Sequence, residues 1–186
     1  MMKFTLTALE QHIVTQFTLN RMAQKGGMSA YQSRGHTNLN KVSEDIKNGA
    51  CAEIAVYNMF RRGVGDDMIT VPDFKIYDKR SKDFLGDLTL KGEPVHIKSV
   101  TAQAERSRGA SWLFQKEDRL FKSPSVQEMI VTVITNFPHA TIHGIFLAKE
   151  ISEKGLLRDP LYAKFIGVKD ALYLEDLEQA TNFLTN

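Results

Sequence analysis

Three side chains able to handle protons or charge crowd into one short stretch of this chain. Asp87 precedes His96 and Lys98 within FLGDLTLKGEPVHIKS, residues 84–99. Leu88, Leu90, Val95 and Ile97 alternate with them, and Gly92 and Pro94 break the run between, so the stretch reads as a β-hairpin. Residues opposite each other in an antiparallel pair share a face. If Leu90 faces Val95, then Asp87 faces Lys98; with a loop two residues shorter, Asp87 faces His96. In either register Asp87, His96 and Lys98 occupy one face and the four aliphatic residues the other. Such a trio is either an ordinary cross-strand ion pair on a solvated face or a functional site.

The surroundings are basic. Lys79, Arg80 and Lys82 precede the hairpin, and Arg106, Arg108, Lys116, Arg119 and Lys122 follow it. A net charge of +2 permits nucleic-acid binding without demanding it. Arg106, Arg108 and Lys116 are assigned to phosphate contact because they lie close to the trio in sequence. Trp112 and Phe114 alternate with polar and cationic residues, which suits base stacking; the competing reading makes them plugs at a core edge. Gln103 and Gln115 carry amides able to hold a water or a base edge.

The elements that must position these groups follow from local patterns. Thr7-Ala8-Leu9-Glu10 forms a capping box for a helix over 7–24, with Leu6, Leu9, Ile13 and Phe17 at helical spacing. Residues 28–42 are a polar arm containing Arg34, His36 and Lys41. A second helix spans 43–62, capped by Ser43 and stopped by Gly63, with the stripe Ile46, Ala50, Ile54 and Tyr57. Glu53 sits on or beside that stripe, where a carboxylate is costly unless paired or holding a metal; the alternative is an edge residue reaching solvent. Residues 69–77 read as a strand, 100–123 as an irregular basic region, and 127–135 and 141–148 as buried strands, with His143 a core residue. A helical turn is expected at 150–154 and a closing helix over 172–184, burying Leu174, Leu177 and Phe183.

Composition bounds the class. A chain of 186 residues with 42% apolar residues suits one globular domain, divided here into a helix and polar arm (1–42) and a core (43–186). The lone cysteine, Cys51, excludes an internal disulfide and suits a reducing compartment. No apolar run approaches the roughly 20 residues of a membrane helix, so a cytoplasmic protein is expected. Glycine-rich phosphate loops, dinucleotide fingerprints, zinc-type Cys/His spacings and nucleophile elbows are missing.

The segment Asp87…His96-Ile97-Lys98 resembles the PD-(D/E)XK nuclease superfamily. In that family an Asp on one strand is followed about ten residues later by an acidic-x-Lys on its neighbour. GACAEIAVYNMF resembles the helix that directs a Glu into the same site. The likeness spans roughly residues 49–115. It implies an α/β, restriction-endonuclease-like core, a mixed central β-sheet flanked by helices with an N-terminal helical arm. It implies a metal-dependent DNA endonuclease using Mg²⁺ or Mn²⁺, often a homodimer. Catalytic roles would fall to Asp87, Lys98, His96 and Glu53, with Asp87, Glu53 and His96 at the metal. Lys98 would orient the attacking water. Asp87 takes precedence over Asp73 of the Pro72-Asp73 pair, which lies too far before His96. The chain departs from the pattern where His96 replaces the acid. An imidazole there would bind a softer metal, or hydrogen-bond water or phosphate, or mark a site that only binds; the second is favoured. Glu93 has the wrong strand parity to substitute. The alternatives are a non-catalytic nucleic-acid-binding protein on the same fold and a junction-resolving nuclease.

Overall fold

The capping box starts the first helix as expected. The computed structural model of the chain describes residues 1–24, 38–75, 86–125 and 127–184. Thr7 Oγ1 accepts from the Glu10 N–H at 3.3 Å, and Glu10 Oε2 accepts from the Thr7 N–H at 2.7 Å, opening α1 (Ala8–Ala23). The stripe is rotated from the expected one. Val14 and Thr18 are buried, whereas Leu9 is 70% and Ile13 39% exposed. Leu6 is buried but lies before the helix, just after a strand the sequence did not signal, β1 (Met2–Thr5). Only Phe4 of that strand is buried, so no alternation announces it.

The second helix, α2 (Leu39–Val64), is longer at both ends than its sequence signals. Asn38, not Ser43, is the cap: its side chain accepts from the Lys41 N–H at 3.1 Å. Gly65, with φ at 93°, closes it two residues beyond Gly63. The last part of the expected polar arm is therefore helical, and Val42 is buried in it. Arg34, His36, Lys79, Arg80 and Lys82 lie outside the described residues.

The strand expected at 69–77 contracts to one antiparallel bridge, Ile69 to Leu90. Pro72 has no N–H to give a ladder, and the Asp73 side chain accepts from the Lys75 N–H at 3.0 Å, turning the chain. Residues 76 and 77 lie outside the described set.

The hairpin forms as β2 (Leu88–Leu90) and β3 (Glu93–Thr101), in the shorter-loop register: Leu88 faces Val95 and Leu90 faces Glu93. Lys91 and Gly92 make the turn with φ of 51° and 88°, the pair of positive angles that a two-residue hairpin loop requires.

The region expected to be irregular is ordered into α3 (Ala102–Arg108), β4 (Ser111–Gln115) and α4 (Arg119–Lys122). Next come β5 (Met129–Asn136), β6 (His139–Leu147) and α5 (Ala148–Glu153), close to expectation. Two more strands, β7 (Leu157–Arg158) and β8 (Lys169–Tyr173), complete the set. The expected closing helix is corrected to strand β8 plus a 3-10 turn, Asp176–Gln179. Leu177 is buried, but Leu174 and Phe183 are 38% and 49% exposed. Leu172 and Tyr173 pair with β4 instead, and this cross-strand partnership overrides helical spacing.

The chain is an α/β protein with two sheets. One has the order β1-β6-β5-β3-β2 and is mixed: β3 and β5 run parallel, joined through α3, β4 and α4, and its other pairs are antiparallel. The other has the order β4-β8-β7. Val95, Val131 and Val133 turn one face of the large sheet to Ala50, Ile54 and Val56 of α2. Ile130 and Phe146 turn the opposite face to Trp112, Phe114 and Leu172 of the small sheet. Trp112 donates from Nε1 to the Val133 carbonyl at 3.2 Å, stitching the two sheets together. No described helix is long and apolar enough to cross a membrane.

Candidate functional site

Strand parity decides which groups meet. Val95 and Ile97 pack toward α2, so His96 and Lys98 project from the other face, into the space between the sheets. The ladder ends with Leu88 opposite Val95, and the Asp87 N–H donates to the Val95 carbonyl at 2.9 Å. The chain leaves the ladder at this point, and Asp87 Oδ2 accepts from the Ile97 N–H at 2.6 Å. A carboxylate thus replaces the carbonyl that a longer β2 would have offered, and it anchors the edge of β3 beside the trio.

His96 is 15% exposed at its side chain, and its Nε2 lies 2.8 Å from Glu128 Oε1. Glu128, 1% exposed, sits just before β5 and also accepts from Arg119 at 3.1 Å and from the Ser125 N–H at 3.1 Å. A carboxylate can only accept, so Nε2 is the protonated nitrogen of His96. Its Nδ1 remains for a ligand or a water. The carboxylate–imidazole arrangement fixes the ring and its tautomer. Sequence reasoning missed Glu128, because its role requires β3 and β5 to lie parallel with His96 beside Ile130. The only sequence signal was a glutamate at the mouth of a β-branched strand.

Lys98 is half-buried, and its Nζ lies 4.9 Å from the centre of the Phe114 ring. Among the described residues it has no ion-pair partner. The cation is held by a ring face, an interaction of about 0.5–2 kcal/mol. Its neighbour in the parallel register, Thr132, is fully buried, and its hydroxyl makes no hydrogen bond.

The other predicted residues spread outward. Glu53 belongs to α2, whose apolar residues pack on the Val95/Val131 face, so the large sheet stands between that helix and the His96/Lys98 face. Arg106 and Arg108 are exposed in the last turn of α3, and Gln103 is exposed near its start. Gln115 is exposed at the end of β4, on the opposite parity from Phe114, and Lys116, just past the strand, is exposed as well. Lys116 is engaged by Asp170 at 2.7 Å and by Asp159 at 3.8 Å, and the hydrogen bond to Asp170 raises its pKa above the ordinary lysine range. Trp112 and Phe114 are each 1% exposed. They are core residues between the sheets, and base stacking on them is ruled out by burial.

The divalent metal implied by the resemblance fits this donor set poorly. Mg²⁺ prefers an octahedron of oxygens. Asp87 Oδ2 and both oxygens of Glu128 already accept from protein donors. Among the described residues no three His, Cys, Asp or Glu side chains gather into a metal-holding group. The arrangement can instead present a fixed imidazole and a half-buried ammonium to an anion. The chain matches no family model, no curated protein and no solved structure.

Proposed function

We propose that the chain is a DNA endonuclease of the PD-(D/E)XK type that hydrolyses a phosphodiester at the His96/Lys98 face. One observation carries the reading: among the described residues Lys98 is a half-buried cation with no carboxylate partner, held against Phe114 beside His96. An uncompensated charge in that position costs stability unless an anion visits it. A phosphate oxygen is such an anion. The mixed sheet flanked by helices, with the hairpin leading into a parallel strand, is compatible with the restriction-endonuclease-like core that the resemblance implies.

In this reading Lys98 stabilises charge on the non-bridging phosphate oxygens as it builds toward the transition state. His96, its Nε2–H committed to Glu128, offers Nδ1 to the attacking water. Asp87 holds the strand edge through Ile97. Arg106 and Arg108 neutralise flanking phosphates.

The test is cleavage of supercoiled plasmid, single-stranded circles and RNA in Mg²⁺, Mn²⁺ or EDTA. Wild type is compared with Lys98→Ala and His96→Glu. Nicking of DNA by wild type, reduced roughly 10²–10³-fold in Lys98→Ala, is the expected result. A second reading is a non-catalytic DNA-binding protein, which suits a set of described residues in which no three His, Cys, Asp or Glu side chains gather into a metal-holding group. It predicts salt-sensitive binding with no cleavage under any metal.

A further inference from the structure

A second cationic surface lies beyond the far end of β3. A cleft of about 420 Å³ opens where Ser99, Val100 and Thr101 meet the start of α2, the end of α3 and the segment 160–165. Along a strand, Thr101 lies about 10 Å from Lys98. Tyr162 lines this cleft and is 48% exposed. The Arg108 guanidinium lies 5.7 Å and the Lys164 ammonium 4.8 Å from the centre of its ring. Lys164 is also 4.8 Å from the ring of Phe165, which lies at 5.6 Å from Tyr162. Arg108 and Lys164 are exposed and, among the described residues, have no ion-pair partner.

These features differ from those of an ordinary solvated loop. An exposed tyrosine next to two unpaired cations gives a flat π-face and positive charge at one place. The third cation of the cleft, Lys41, is paired with Asp45 at 2.6 Å, so the excess charge sits with Tyr162. Leu161, 79% exposed, and Ile166, 54% exposed, add apolar area beside the ring. A duplex buries its base faces inside the stack and offers a tyrosine only edges and backbone. An unpaired strand offers both a free base face and a phosphate every nucleotide.

We propose that this cleft binds single-stranded DNA, with a base stacked on Tyr162 and adjacent phosphates held by Arg108 and Lys164. The proposal rests on the nuclease reading for its biological sense: it makes the substrate of the His96/Lys98 face an unpaired strand, or a duplex opened beside the cut. Binding itself requires no cleavage. Arg108, placed by sequence among phosphate contacts, gains a specific partner here, whereas Tyr162 and Lys164 drew no notice from sequence.

The experiment is fluorescence anisotropy with labelled dT12, rU12 and a 12-base-pair duplex on the full chain. Variants are Tyr162→Ala, Tyr162→Phe and the double Arg108→Ala/Lys164→Ala, and each is also assayed for plasmid nicking. Tyr162→Ala should weaken dT12 binding about 5- to 100-fold, while Tyr162→Phe, which keeps the ring, binds like wild type. The double variant should flatten the salt dependence of dT12 binding by about 1.4 in log–log slope. Wild-type binding by Tyr162→Ala, absence of dT12 binding, or preference for duplex or rU12 over dT12 would each overturn the proposal. If dT12 binds as described and no polymer is cleaved, the nuclease reading fails while the cleft stands. If cleavage proceeds and Tyr162→Ala binds dT12 normally, the cleft fails and the nuclease reading survives.

Discussion

Glu128→Ala should destabilise the fold by about 2.5–4 kcal/mol, and the figure can be assembled from its contacts. Glu128 is 1% exposed and accepts from His96, Arg119 and Ser125. His96, 15% exposed, loses a charge-assisted hydrogen bond worth about 1.5–3 kcal/mol. The Ser125 N–H loses its acceptor at a cost of about 1 kcal/mol, the low end because Ser125 itself is exposed. Arg119 is 58% exposed, turns to water and contributes little. For a chain of this length the sum lowers Tm by about 5–16 °C. Glu128→Gln keeps the shape and one acceptor, so its cost should be about half as large. The assay is urea unfolding followed by the fluorescence of Trp112, the only tryptophan. Imidazole ¹⁵N spectra would follow the His96 tautomer alongside. Wild-type stability within about 0.5 kcal/mol in both variants, or a His96 protonated only on Nδ1, would refute the assignment of Glu128 as the anchor of the ring.

Two further outcomes follow from other buried groups. Burial, with a smaller push from the charge of Glu10, raises the Cys51 thiol pKa to about 12; it should stay silent toward Ellman's reagent at pH 8 in the native protein and react on unfolding, and fast native labelling would contradict this. Burial, reinforced by the N-terminal ammonium, lowers the His143 pKa from its ordinary 6.5. The unfolded chain then binds this proton more readily, so stability is fully present above 6.5 and is lost as pH falls through the depressed folded value. Urea midpoints measured from pH 7.5 to 5 should fall more steeply in wild type than in His143→Asn, and equal slopes would remove His143 from the account.

Local signals placed several features correctly. The Thr7/Glu10 capping box is a contact within one turn of chain, so its geometry follows from four residues. Lys91-Gly92 turns the hairpin because the backbone angles there belong to the turn itself. The strands at β5 and β6 were visible because burial on both faces demands continuous β-branched residues. The closing helix failed for the opposite reason. Leu172 and Tyr173 have helical spacing with later leucines, and only pairing with β4, some sixty residues earlier, makes them a strand. The basic region 100–123 was expected to be irregular and is ordered instead, and of the two readings of Trp112 and Phe114, core plug or stacking ring, the second sheet that closes over them decides for the core.

The candidate site divides in the same way. Alternation along β3 puts His96 and Lys98 on one face, because side chains on a strand alternate whatever the fold. The hairpin turn sets Leu88 opposite Val95 and leaves Asp87 just beyond the ladder, with its carboxylate on the Ile97 N–H. Tertiary structure alone decided the rest. It set β5 parallel to β3 and so delivered Glu128 to His96, and it laid the Phe114 ring over Lys98. It packed α2 on the far face, so that Glu53 and the His96/Lys98 pair have a sheet between them. Partners brought together across the sheets leave no periodic mark in the chain. Their positions depend on which strands pair and which face each helix covers, and that choice is made by burial summed over the whole molecule.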